Sequence, residues 1–317
     1  MPDHNLLVSI IIPLIDHRGQ YMKCLQTFHE QTLKKGSYEV IVACLESAPE
    51  LEVITTAYPD VRIVFCDEYT DHALYNAGIE GSSGKYLYLT ECHCFATPTC
   101  VEKAIEAAET QGFDCLNSNS TGANANKFAE MEQRLFDIDV ENWKEGTRSK
   151  ISVRGFLVDR DSWNEVGGFP TEYGHFSELM LGQRLRNLGK TFGYADESVV
   201  AHYNQPHLKT LMAELKVYGF HECHGNHHFP PHDEKYLCEE WQWYRETPEK
   251  VPQIIQRHQR RLRWLAAVLR LSPASASWFF PYYRELWETS IRVGRLTYLY
   301  ELAQPGPILV PRHPAAA

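Results

Sequence analysis

The chain has 317 residues, of which 44% are apolar and 12% aromatic, the make-up of a globular protein long enough for one large domain or two ordinary ones. A net charge of −10 argues against a generic nucleic-acid surface. Nine cysteines, an odd number without a repeating framework, predict free thiols in a reducing, cytoplasmic setting, as does the lack of a signal-peptide pattern.

Residues 7–13 (LVSIIIP) form a near-continuous β-branched run, which is how a strand buried on both faces reads. A helix is predicted from about Gly19 to Leu33, then strand Glu39–Cys44, helix Leu51–Tyr58 and strand Val61–Cys66. Helix His72–Glu80, strand Lys85–Leu89 and helix Thr97–Thr110 complete four strand–helix alternations in about a hundred residues. That pattern predicts an α/β fold with a doubly wound, mainly parallel sheet. The polar stretch Asn117–Asn126 reads as a mobile surface loop and Lys127–Asp137 as a helix. Strand character returns at Ile151–Val158, and a short helix from Asp161 ends at Gly167-Gly168. Helix Ser177–Leu188, with Leu179, Leu181, Leu185 and Leu188 as its apolar face, precedes a strand within Thr191–His202.

Beyond about Gln205 the strands give way to helical stretches near 207–220, 234–246, 249–271 and 280–303, punctuated by prolines. The expected organisation is a domain over 1–205, an all-helical C-terminal appendage over 206–303 and a disordered tail over 304–317. No segment reads as transmembrane, so any membrane contact is expected to be peripheral, at the inner face. Ile254–Leu271 is basic and amphipathic, with five arginines. It could lie on an anionic membrane surface. The simpler reading packs Trp264, Leu265, Val268 and Leu271 inward and solvates the arginines. The cluster His221–His228, with His232 and Cys238, contains spacings that zinc could use at Cys223, His227 and His228 but no finger spacing. A solvated or acceptor-facing loop, folding back over a site as a lid, is the simpler expectation.

The most informative segment is Tyr86–Cys94 (YLYLTECHC): a short apolar strand that delivers Glu91 and His93 at its C-terminal end. Ligands collect at such strand ends in open α/β sheets. If strand geometry persists, residues two apart project to one side and could share a cation. Cys92 and Cys94 read as small buried residues.

Six segments in chain order resemble the family 2 glycosyltransferases, which have the GT-A fold: Val8–Pro13, Tyr38–Ser47, Ala73–Ile79 with its Asn-x-Gly, Gly84–Pro98, Val166-Gly167-Gly168-Phe169, and Ser177–Leu185. The resemblance covers residues 7–205. It implies a nucleotide-sugar donor and inverting transfer to a glycan, lipid-linked or peptide acceptor, assisted by Mg²⁺ or Mn²⁺. It places Glu91 in the middle of the family's Asp-x-Asp metal motif, with Thr90 and Cys92 where aspartates usually stand. A carboxylate with an imidazole tilts preference toward Mn²⁺. By the same resemblance His202 is a third metal ligand beside Glu91 and His93, and Glu178 is the catalytic base. Pro13, Asp16 and Asn76 are expected ribose or diphosphate contacts, and Glu46 replaces the family's base-contacting Asp. The alternative is a catalytically weakened GT-A domain that binds a nucleotide sugar or a partner protein.

Overall fold

The computed structural model describes residues 6–144, 151–228, 247–305 and 307–311. The predicted helix over 234–246, with His232 and Cys238, lies outside them.

The first half follows the predicted alternation: β1 (Leu6–Pro13), α1 (Tyr21–His29), β2 (Tyr38–Cys44), α2 (Leu51–Ala57), β3 (Arg62–Phe65), α3 (Asp71–Glu80) and β4 (Gly84–Leu89). Then come β5 (Cys94–Ala96), α4 (Cys100–Gln111), β6 (Cys115–Gly122), α5 (Lys127–Lys144), β7 (Phe156–Asp159), α6 (Arg160–Val166), α7 (Phe176–Asn187) and β8 (Phe192–His202). One sheet holds all eight strands in the order β3–β2–β1–β4–β7–β6–β8–β5. Four of its seven adjacent pairs are parallel. The chain order reverses between β1 and β4, and the C-terminal ends of these strands open onto the site.

The β-branched run makes β1 central because such side chains fill both faces of a covered sheet: Val8, Ile10 and Ile12 pack in one core and Ile11 in the other. α3 starts at Thr70, whose hydroxyl accepts from the Ala73 N–H, and lies so close to the sheet that a Cβ at Gly78 would come 2.6 Å from Ile11 Cγ2.

Asn117–Asn126 is not a mobile loop. Its first half is β6, between β7 and β8, with Asn117, Ser118 and Ser120 buried. Two of them have internal partners: Asn117 Oδ1 accepts from the Ser152 N–H at 2.9 Å, and the Ser118 hydroxyl lies 2.9 Å from that of Tyr88 and 2.7 Å from that of Ser198. A polar strand with internal partners imitates a loop in sequence.

The appendage comprises α8 (Leu208–His228), α9 (Val251–Leu271) and α10 (Phe279–Leu302). Leu211, Leu215, Leu265, Tyr283 and Leu286 form its shared core. The histidines of 221–228 are part of α8 rather than a loop or lid, packed near Tyr173 and Tyr298. In the tail, Ile308 packs near Phe220 and Tyr298, and the Pro311 carbonyl lies 2.8 Å from His221 Nε2.

On α9 the inward face is Leu262, Leu265, Ala266 and Leu269. Trp264 and Leu271, expected to pack inward, are 50% and 89% exposed. On α7, Met180, Leu181 and Leu185 are buried but Leu188 faces solvent. All eight described cysteines are free. No described helix is long and apolar enough to cross a membrane.

Candidate active site

Glu91 and His93 do share a side, but through a turn rather than continued strand alternation: the Cys94 N–H donates to the Glu91 carbonyl at 3.0 Å. β5 then pairs antiparallel with β8, in a register that sets Cys94 opposite His202. The Tyr203 N–H donates to the His93 carbonyl at 3.0 Å, closing the pair. The two imidazoles are thereby pressed together, Nε2 to Nε2 at 3.0 Å. Glu91 Oε2 lies 3.3 Å from His202 Nε2 and 3.8 Å from His93 Nε2.

The tautomer of His202 follows from its neighbours. The Asn204 amide donates to Asn124 Oδ1 at 2.7 Å and to Gln133 Oε1 at 3.0 Å, so Asn204 Oδ1 is the acceptor facing His202 Nδ1 at 2.7 Å. Nδ1 carries the proton, and the Nε2 lone pair points at Glu91 and His93. Burial pushes both imidazoles below their usual range, helped by Arg18 at His93 and Arg154 at His202, and keeps them neutral at pH 7. Burial alone would raise the Glu91 carboxyl, but the positive charge of its surroundings, Arg154 included, outweighs burial and holds it well below the usual range. One carboxylate and two neutral imidazoles within 4.8 Å of one another fit a divalent cation with open positions. Among the described residues this is the only such group; none forms at Cys223, His227 and His228.

The triad lies in a cleft of about 590 Å³, beside Pro13, Asp16, Arg18, Asp71 and Arg154. Asp16 and Arg18 both adopt left-handed backbone conformations, φ 45° and 49°. This sharp turn folds the Arg18 guanidinium onto Asp16 Oδ2 at 2.7 Å and the Tyr203 carbonyl at 2.8 Å. Arg154 lies over the Phe136 ring at 3.8 Å, with Nη2 3.6 Å from Glu132 Oε1. Its Nη1 is buried without a hydrogen-bond partner. Two partly matched guanidiniums beside a cation site suit phosphate oxygens. Burial, with Glu91 and Asp16 nearby, pushes Asp71 up to about 7. Glu214 is likewise pushed to about 7 by burial, against the pull of Arg18.

Glu178 enters the same cleft from the first turn of α7. Its Oε1 is 3.9 Å from Nε2 of His72, a buried imidazole whose pKa burial lowers to about 3. α7 is positioned by the turn Gly167-Gly168-Phe169, where both glycines have φ 81°. The appendage supplies the opposite wall, with Leu211, Leu215, Trp287 and Ile291.

Of the residues expected from sequence, the cleft brings together Pro13, Asp16, Glu91, His93, Glu178 and His202. Asn76 and Glu46 are not among its lining. The Asn76 amide instead donates to the Phe169 carbonyl at 2.9 Å and accepts the Phe169 N–H at 3.0 Å, which ties α3 to the glycine turn. Glu46 sits exposed in the turn after β2. Arg18, Asp71, Glu132, Arg154 and Glu214 were not anticipated. Asp71 alone had a local signal, as an acid at a helix start beside the Asn-x-Gly segment.

A reversed-order α/β sheet, an acid–imidazole triad at its strand ends and a facing carboxylate define a glycosyltransferase of the GT-A type. The sequence profile described as "Glycosyl transferase family 2" matches residues 9–167, half of the chain, and the chain belongs to that family. Glycosyltransferase AglE of Haloferax volcanii is 25% identical over 217 residues, 66% of this chain and 71% of that protein. Among solved structures, the mannosyltransferase PcManGT from Pyrobaculum calidifontis, in complex with GDP-Man and Mn²⁺, has a TM-score of 0.63 at 12% identity over 95% of this chain and 89% of that one. Residues 1–349 of S. aureus TarS, in complex with UDP, reach 0.53 at 13% identity over 94% and 92%. These two likenesses establish the shared fold.

Proposed function

We propose that the cleft binds a nucleotide-diphosphate sugar together with Mn²⁺ or Mg²⁺ and transfers the sugar, with inversion, to an acceptor hydroxyl deprotonated by Glu178. The observation that carries this reading is the convergence of Glu91, His93 and His202 on one point of a cleft that also holds Glu178. The complexes of the mannosyltransferase with GDP-Man and Mn²⁺ and of TarS with UDP support it.

Glu91, His93 and His202 would hold the cation, which supplies charge neutralisation to the departing diphosphate. Arg18 and Arg154 add fixed positive charge on the same side and orient the phosphates. Glu178 accepts the hydroxyl proton at a carboxylate oxygen as the acceptor oxygen attacks the anomeric carbon. The buried His72, held neutral, leaves that proton on Glu178. Leu211, Leu215, Trp287 and Ile291 limit access of water, the competing nucleophile. The acceptor is a glycan, a lipid-linked saccharide or a peptide.

A screen of uridine, guanosine and thymidine diphosphate sugars, with and without Mn²⁺, tests the proposal by binding and by slow donor hydrolysis. Metal-dependent binding of one donor class is expected, and binding of none would refute it. With that donor, Glu178→Gln should keep binding and lose about 10²–10⁴-fold in transfer. Full transfer activity in that variant would remove Glu178 from the role of base.

A further inference from the structure

The outward face of α9 is the feature that the transfer reaction leaves unexplained. Arg260, Arg263, Trp264, Arg270 and Leu271 recur at three- and four-residue spacing, so they share one solvent-facing stripe. Arg257 extends it by one more turn. Residues 251–271 contain no acidic residue, in a chain whose net charge is −10. Arg261 turns toward α10 and pairs with Glu285. Arg257, Arg260, Arg263 and Arg270 make no ion pair among the described residues.

Apolar groups are set within this basic stripe. Leu271 is almost wholly exposed, and the exposed Trp264 ring lies 5.7 Å from Tyr282. Tyr282 in turn lies 5.4 Å from the half-exposed Trp278. A helix whose buried face is complete without them has no packing reason to display a tryptophan and a leucine between arginines. Exposed apolar side chains flanked by unpaired cations complement a surface that is apolar just beneath a layer of negative charge. The aromatic trio strengthens the match, because tryptophan and tyrosine favour the boundary between headgroups and acyl chains.

The geometry points to an anionic lipid bilayer as the partner of this face: we propose that α9 and the start of α10 seat the enzyme on the membrane, with Trp264, Leu271 and Trp278 inserted and Arg257, Arg260, Arg263 and Arg270 against anionic headgroups. The placement relative to the cleft is consistent. α10 carries Trp278 and Tyr282 at its N-terminal end and Trp287 and Ile291 in the cleft wall. The docked face and the cleft wall are therefore joined by one helix.

Sedimentation of the full chain with vesicles tests this without reference to sugar transfer. Phosphatidylcholine vesicles with about one third phosphatidylglycerol should bind the protein, pure phosphatidylcholine vesicles should not, and salt should weaken binding. Each arginine at an anionic surface contributes about fivefold, so R260E/R263E/R270E should bind at least about a hundredfold more weakly. W264S/L271S should also bind more weakly, and the fluorescence blue shift on binding should shrink in Trp264→Phe. All three variants alter exposed side chains, and an unchanged Tm shows that they are folded. Absence of vesicle binding, or binding that both multiple variants retain, would overturn the proposal. Binding to heparin without binding to vesicles would also overturn it and assign the face to an acidic polymer.

Discussion

His202 is usable as a ligand only because of Asn204. The chain Gln133–Asn204–His202 fixes which ring nitrogen carries the proton and aims the other at Glu91. Outer groups of this kind are worth about 10–100-fold in metal affinity. Asn204→Ala should therefore weaken Mn²⁺ binding by that factor in a calorimetric titration, while Asn204→Asp, which retains the acceptor, should lose less. Glu91 and His93 were legible in the sequence because a strand end concentrates ligands and the two residues are adjacent. Arg18, Arg154 and Glu214 were not, since isolated charges on turns and helices look like solvated ones. Only the folded chain brings Arg18 to Tyr203 and Arg154 to Glu132, across separations that no local pattern spans. Asn76 teaches the converse. Its motif was legible, but the tie its amide makes to the Phe169 backbone, which joins α3 to the glycine turn, was not.

At the scale of elements, the cleft's far wall depends on how closely α8 and α10 approach. A Cβ on Gly294 would come 1.9 Å from the Lys216 carbonyl oxygen, and one on Gly219 would come 2.1 Å from that of Ile291. Backbone cannot yield as a flexible side chain can, so Gly294→Ala must push the helices apart. It should cost about 1–3 kcal/mol, read from urea unfolding, and raise KM for the acceptor by displacing Trp287 and Ile291. An unchanged unfolding midpoint would show that the helices accommodate the methyl group. Helix existence was legible here from periodicity, but which face of α9 turns inward was not. Both of its faces carry apolar residues, and only the positions of α8 and α10 decide between Leu265 and Trp264. β6 was missed for a related reason: Asn117 and Ser118 are buried with partners inside the fold, so polarity no longer marked the surface.

For the whole molecule, three histidines away from the cation site bear on acid stability. Burial holds His72 at about 3, and His221 and His224 at about 4, against about 6.5 when unfolded. Between pH 6.5 and 4 the unfolded chain binds protons at these sites that the native chain does not, so stability falls as pH falls. Asp71 and Glu214 act in the opposite direction, since the native state keeps them protonated up to about 7. His93 and His202, also pushed below their usual range by burial, add to the histidine side, so acid is destabilising and Tm should decline from pH 6.5 to 4.5. His72→Phe, which can keep the ring contact with Phe169, should show a shallower decline; an equal slope would mean that His72 is charged in the native state.

The doubly wound sheet was readable from the alternation of strands and helices and the family from six motif segments, yet the cleft is completed by the appendage, which lies outside the segment that carried the resemblance. The cation site joins these parts, because β4, β5, β8 and α5 must all be in register for it to exist. Pulsed electron paramagnetic resonance of Mn²⁺ bound with a nucleoside diphosphate tests it most directly. Nitrogen-14 modulation from two imidazoles is predicted, reduced in His93→Ala, reduced in His202→Ala and absent when both are replaced. Mn²⁺ bound without nitrogen coupling, or coupling that survives the double substitution, would contradict the account.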